Sequence, residues 1–438
     1  MKNGLLFSRL LSLALILALA PTTFASVTWY VNGNNGNNTN SCKSPTTACK
    51  TIGHAITLAA SGDSILVASA IYTENPSISI SLTVIGSGAA TTIVDGGGVS
   101  AVLTISGAAK VSLSGLTIRH GRAPNGGGIY NNGGLTINNS IVSGNTAAVS
   151  CNTSFCSNRG GGIYNNGELT INNSVLSGNE ALAQCVHQCA TEGGGIFNNS
   201  GALALTNSTI SGNSASCQLV FPWQRGYCHS DGGGIFVGNG TVTISKSTIS
   251  GNGANESGGI DNRGTLTISN STISGNSAHG ANALGNYGGG ISNGGVLAIN
   301  NSTISGNSAH GGPGGGIYAS NGTTATLQNS IVDNNAGINC TGTITSHGYN
   351  LSSDDTCKLN GRGDLNNHDP LLGPLQNNGG PTQTMALLPG SPAIDGGNPS
   401  GCTDGQGHLL KTDQRGMPRP DPEDRGGCDI GAYERQSD

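Results

Sequence analysis

GGGIYNNGGLTINNSIVSGNTA, Gly126 to Ala147, is a 22-residue unit that returns as GGGIYNNGELTINNSVLSGNEA from Gly160. Further copies begin at Gly193, Gly232, Ser257, Gly288 and Gly314. Self-similarity at this period marks a stacked-coil protein, in which each repeat folds against its neighbours. Within the unit, LTI alternates apolar and polar residues as a strand with one buried face does. Aligned copies give four aliphatic columns: Leu135 to Leu297, Ile137 to Leu327, Val142 to Val332, and Ile129 to Ile317. Gly, Asn, Ser and Thr fill the intervals, which suits turns and strands and excludes a helical solenoid. The expected fold is therefore all-β: a single-stranded parallel β-helix of about eleven coils with three short strands per coil. Right-handed winding follows from the general handedness of parallel crossovers. One coil buries four aliphatic side chains, at about 1.5–3 kcal/mol each. Ordering its residues costs roughly 1–2 kcal/mol apiece, so stacking must supply the difference.

Two asparagine columns are as regular as the apolar ones. Asn139, Asn173, Asn207, Asn270, Asn301 and Asn329 mark one corner, interrupted by Lys246. Asn145, Asn179, Asn213, Asn252, Asn276, Asn307 and Asn335 mark another. Asparagine tolerates left-handed backbone, and stacked amides bond along a ladder. Both corners are expected to carry such ladders, and this explains the N-x-S/T triplets without a glycan.

Lys2 and Arg9, the apolar run Leu10–Ala20 and Thr23-Phe24-Ala25 are the marks of a secretory signal peptide, with cleavage expected after Ala25. Residues 26–63 then form an N-terminal cap, in which Ile52, Ala55, Ile56 and Ala59 lie at helical spacing. The β-helix spans 64–350, with regular repeats over 126–335. The composition changes at 351–438, where prolines cluster and the repeat stops; this region is expected to pack on the last coil. Lys and Arg number 18 against 23 Asp and Glu, and a net charge of −5 argues against a nucleic-acid partner. No membrane-spanning segment is expected beyond the leader.

Twelve cysteines in an exported chain point to disulfides. They fall in six close pairs: Cys42/Cys49, Cys151/Cys156, Cys185/Cys189, Cys217/Cys228, Cys340/Cys357 and Cys402/Cys428. Pairing between neighbouring loops is the alternative; zinc held by Cys185 and Cys189 with His187 and His229 ranks below both. Three long insertions, 148–159, 182–192 and 216–231, enter at one place in successive coils and must stack on one edge. The third gathers Phe221, Trp223, Arg225 and Tyr227, the candidate ligand-binding residues, in a chain with only 4% aromatic residues.

Chemistry needs converging acids. The repeats offer Asp231 and Asp261 as the nearest approach to an acid pair, against a reading as two solvated loop acids. His279 and His310 occupy matching corners and could stack, without a visible third metal ligand. Asp395, Asp413, Arg415, Asp429 and Glu434 read as capping salt bridges and turn bonds, with a calcium site as the competing idea. No catalytic residue, metal or cofactor is expected.

The combination SGNEA…GGGIFNN is similar to the repeat of polymorphic outer membrane proteins, which are surface-displayed β-helical adhesins. The region from Gly348 to Glu434, with CKTIGHAITLAASGDSILVASAIYTE near the start, resembles exported bacterial proteins carrying a choice-of-anchor Q domain. These resemblances imply a pectin-lyase-like β-helix at the cell surface or outside the cell. The expected function is non-enzymatic surface binding or adhesion, with a glycan or a surface protein as partner. The alternative is a polysaccharide lyase or glycoside hydrolase.

Overall fold

The computed structural model describes residues 26–150, 155–219, 227–280, 288–310, 312–405, 407–422 and 427–436. Residues 1–25, where the leader is expected, and Phe221, Trp223, Arg225 and Cys151 lie outside these residues. The chain is a parallel β-helix. Each regular coil contributes in turn to a ten-stranded first wall (Ile129–Asn131 and its equivalents), a twelve-stranded second wall (Gly134–Asn138) and a twelve-stranded third wall (Ile141–Ser143). All three are parallel, and the four aliphatic columns stack in register. Leu135 faces Leu169, Ile137 faces Ile171, Val142 faces Leu176 and Ile129 faces Ile163. These side chains form one apolar cluster running from Trp29 to Leu359.

A coil holds more than the three expected strands. The SGNxA corner starts a seven-stranded fourth wall, in which Thr146–Ser150, Glu180–Cys185 and Ser214–Leu219 pair in parallel. Alanine at the inward position (Ala147, Ala181, Ala215, Ala254) is small enough to let this wall lie close to the tube. The insertions then return as a three-stranded sheet of Phe155–Arg159, Gln188–Glu192 and Tyr227–Asp231. Disulfides Cys185–Cys189 and Cys217–Cys228 tie the outgoing strands to the returning ones. Cys42–Cys49, Cys340–Cys357 and Cys402–Cys428 are also bonded, so five of the six local pairs are seen. The sixth involves Cys151, beyond the described residues.

The two asparagine corners differ: the second meets the expectation of a ladder, and the first meets it only where Asn329 Nδ2 donates to Asn301 Oδ1 at 3.0 Å. At the second corner the amides form a buried ladder, with Nδ2 of Asn145, Asn179, Asn213, Asn252, Asn276 and Asn307 each donating to the next Oδ1 at 2.9–3.0 Å. At the first corner every member, Lys246 included, sits at a φ between 44° and 49°. Asn139 and Asn173 are exposed and make no ladder. Backbone geometry, which Lys246 can also adopt, is what that column shares. Beside it a serine column does the bonding: the N–H of Ser140, Ser174, Ser208, Ser247, Ser271 and Ser302 donates to the next seryl oxygen at 3.1–3.2 Å.

The entry helix, Ile52–Leu58, buries Ile52 and Ala55 against the first coil, and Thr51 caps it. The C-terminal region does more than cover the last coil. It runs back along the first asparagine corner as far as Lys246, whose Nζ donates to Thr412 Oγ1. Gln414 bonds Thr248 and Thr272, and Asn301 donates to the Thr403 carbonyl. The reason is chemical: this flank offers unpaired Thr and Asn groups, which a loop-rich segment can satisfy.

Candidate functional site

The first wall has a second side. The middle residue of each of its three-residue strands points away from the core, and in successive coils it is Tyr130, Tyr164, Phe197, Phe236, Asp261, Ser292 and Tyr318. The four rings stack with centroids 5.0–5.2 Å apart, nearly the strand spacing. The two tyrosines are half-buried, and the two phenylalanines are covered. Arg159 lies over Phe197 and Arg263 over Phe236, with guanidinium carbons 5.0 and 4.6 Å from the ring centroids.

The inserted sheet stands beside this ladder. Its strands end on Arg159, Glu192 and Asp231, which are register partners. Arg159 pairs with Glu192 at 2.6 Å. One coil further on, the aromatic column gives way to Asp261, so Asp231 and Asp261 meet. Arg263 bridges them, donating from Nη2 to Asp231 at 2.6 Å and from Nε to Asp261 at 3.0 Å. Ser257 donates to the other oxygen of Asp261 at 2.9 Å. His229, two residues before Asp231 and so on the same strand face, approaches Glu256 with 2.5 Å between Nδ1 and Oε1. His229, Asp231, Glu256, Asp261 and Arg263 line a cavity of about 300 Å³.

The acid pair is buried, with side chains 4% and 8% exposed, so the reading as two solvated loop acids does not hold. Asp261 points away from the core, as its place after Ile260 suggests, but Arg263 and the inserted sheet cover it. Burial pushes the Asp231 carboxyl well above its ordinary value, and the charge of Asp261 adds to this while Arg263 opposes it. Burial also raises Asp261, against Arg263 and the Ser257 bond. Burial works against the Arg263 charge too, but the two carboxylates outweigh it.

Of the candidate ligand-binding residues, Tyr227 is described. It opens the strand Tyr227–Asp231, is partly exposed, and packs edge-on against His229 at 4.1 Å. Phe221, Trp223 and Arg225 lie outside the described residues. His279 and His310 stack at 5.4 Å, and among the described residues no third ligand joins them. Arg263, Glu256 as the partner of His229, and the aromatic ladder escaped the sequence reading, which places His229 only in a four-ligand zinc alternative. Cys185 and Cys189 are bonded to each other and do not form that set. A column read through GIY, GIY, GIF, GIF and GID would have found the ladder and the acid that ends it.

In the C-terminal region, Arg415 pairs with Asp413 at 2.8 Å and Arg419 with Glu434 at 2.6 Å, all buried. Asp429 accepts from the N–H groups of Asp395 and Arg435. These are the turn bonds and internal ion pairs expected of that motif.

No protein-family model matches the chain, and no curated protein does. Solved structures resemble it at low identity. Pectate lyase Pel9A is 15% identical with a TM-score of 0.40, over 94% of this chain and 98% of that one. Pectin methylesterase PemA from Erwinia chrysanthemi is 12% identical with a TM-score of 0.31, over 74% and 81%. A pectin methylesterase in complex with a hexasaccharide is 13% identical with a TM-score of 0.30, over 71% and 80%. No helix among the described residues is long and apolar enough to cross a membrane.

Proposed function

We propose that this is an exported, non-enzymatic binding protein that takes an oligosaccharide along the flank where the inserted sheet meets the first wall. The observation that carries the reading is the in-register inserted sheet, closed by local disulfides and standing beside a ladder of aromatic rings. Disulfide-closed strands lose little freedom when a partner docks. Tyr130 and Tyr164, whose ring faces stack within the ladder, present half-buried edges with hydroxyl tips, and the partly exposed Tyr227 adds an aromatic ring with a polar edge; such groups suit sugar rings. The polymorphic outer membrane protein-like repeats and the choice-of-anchor Q-like C-terminal motif support a surface or extracellular setting, as do the leader and the disulfides.

The buried acid pair invites the second reading, a glycoside hydrolase or lyase. Its geometry favours binding instead. A hydrolase leaves a gap between its two carboxyl groups for the glycosidic bond and, in inverting enzymes, for water. Here one guanidinium occupies the space between Asp231 and Asp261. A glycan array probed with the mature chain, run beside lyase and hydrolase assays, tests the proposal. Retention of a defined glycan class without turnover is expected. Binding should fall at least tenfold in the double variant Trp223→Ala with Tyr227→Ala, with the melting temperature held. Turnover of a polysaccharide that is lost in Asp231→Asn, or no retained glycan, overturns it.

A further inference from the structure

The cavity at the end of the aromatic ladder carries a second cluster, which shares Asp231 with the Arg263-bridged pair. His229 and Asp231 alternate on one strand, so both face the cavity. Glu256 arrives from the next coil, where its N–H donates to the Ser230 carbonyl at 2.9 Å. One ligand atom from each of the three lies within 4.8 Å of the other two. An ion placed among them can reach all three with small side-chain rotations.

Two further observations point to a cation. Nδ1 of His229 is sealed from solvent and has no hydrogen-bond partner, although Glu256 Oε1 stands 2.5 Å away. Without a proton between them these two atoms face each other with lone pairs, a contact that a shared cation relieves. The local charge is also unbalanced. Glu192, Asp231, Glu256 and Asp261 bring four carboxyl groups, whereas Arg159 and Arg263 are the two guanidinium groups paired with them. Among the described residues, no Lys or Arg pairs with Glu256.

We propose that His229, Asp231 and Glu256 form a divalent-metal site selective for zinc over calcium. One imidazole and two carboxylates are a zinc-type donor set, and three protein ligands leave a fourth position open toward the cavity. Calcium asks for six to eight oxygens and gains little from imidazole. This differs from the absence of metal expected from sequence, and it stands whether or not the flank binds a glycan.

The test is calorimetric titration of the chelator-stripped mature chain with zinc chloride and, separately, calcium chloride. One zinc per chain is expected, bound at least tenfold more tightly than calcium. His229→Gln and Glu256→Gln, both close in volume to the native side chains, should each weaken zinc at least tenfold while circular dichroism stays unchanged. A His279→Ala, His310→Ala double variant controls for the stacked histidines and should bind zinc as the wild type does. No zinc binding by the wild type, unchanged binding in the first two variants, or loss in the control overturns the site. The wild-type titration decides by itself if a variant does not fold.

Discussion

Asn213 shows how much one repeated polar residue contributes. Its Oδ1 accepts from both the backbone N–H and the Nδ2 of Asn179, and its own Nδ2 donates to Leu176 and Asn252. Asn213→Ala strands buried donors on Asn179, at about 1–3 kcal/mol for each group left without a partner. Asn173, at the other corner, is exposed with φ 47° and carries no ladder. Asn173→Ala should therefore cost only the left-handed backbone preference, about 1–2 kcal/mol, and Asn173→Gly nearly nothing. Denaturant midpoints of the three variants check this; equal losses in Asn213→Ala and Asn173→Gly would refute it. Asp429 is the residue to follow with pH. Burial, with Glu434 adding to it, pushes its carboxyl up from 3.8 to about 7. The folded chain then holds this proton more tightly than the unfolded chain. The contribution of Asp429 is most favourable below about pH 4, falls as pH rises to about 7, and levels off above that. The full change is roughly 4 kcal/mol. The difference in midpoint between wild type and Asp429→Asn, followed from pH 4 to 8, should trace that slope; a flat difference would exclude it.

At the scale of an element, the glycine runs and the inserted sheet behave oppositely. Gly194 lies where the first and fourth walls close on each other. A Cβ there would meet the Ser214 carbonyl oxygen at 2.3 Å and that of Gly233 at 2.4 Å. Both are backbone atoms that cannot step aside. Gly194→Ala should destabilise several coils at once, visible as lost hydrogen-exchange protection on both neighbours. The inserted strands, by contrast, have their own small core of Cys156, Ala183, Cys185 and Cys189, apart from the main aliphatic cluster. Replacing Cys185 and Cys189 by Ser should speed exchange across 180–192 and leave Ile163, Ile196 and Ile235 protected. Equal loss in both places would mean that the tube depends on its insertions.

At the scale of the whole molecule, the C-terminal region joins coils far apart in sequence. Arg419 is fully buried, pairs with Glu434, and donates to Asn270 Oδ1 at 2.9 Å and to the Gly431 carbonyl. Arg419→Ala leaves Glu434 buried without its cation and should cost about 3–5 kcal/mol. Exposure of the flank from Lys246 to Asn329 to limited proteolysis is the accompanying readout; an unchanged digestion pattern would contradict it. The tube itself was legible from the chain, because period-two alternation repeated at a fixed interval leaves one way to bury four aliphatic columns and keep every strand paired. The stacking of the insertions follows from the same periodicity, and the local disulfides from the close spacing of the cysteine pairs. Tertiary structure alone decided the rest. Whether a corner asparagine bonds along a ladder or only bends the chain depends on which way its side chain turns. The C-terminal region reaches back to Lys246 because unpaired groups on that flank attract it, and those groups are neighbours only after coiling. The cavity of His229, Asp231, Glu256, Asp261 and Arg263 exists because an insertion from one coil folds over the outward column of the next. Burial then turns acids that look solvated in the sequence into a shared, charge-rich site.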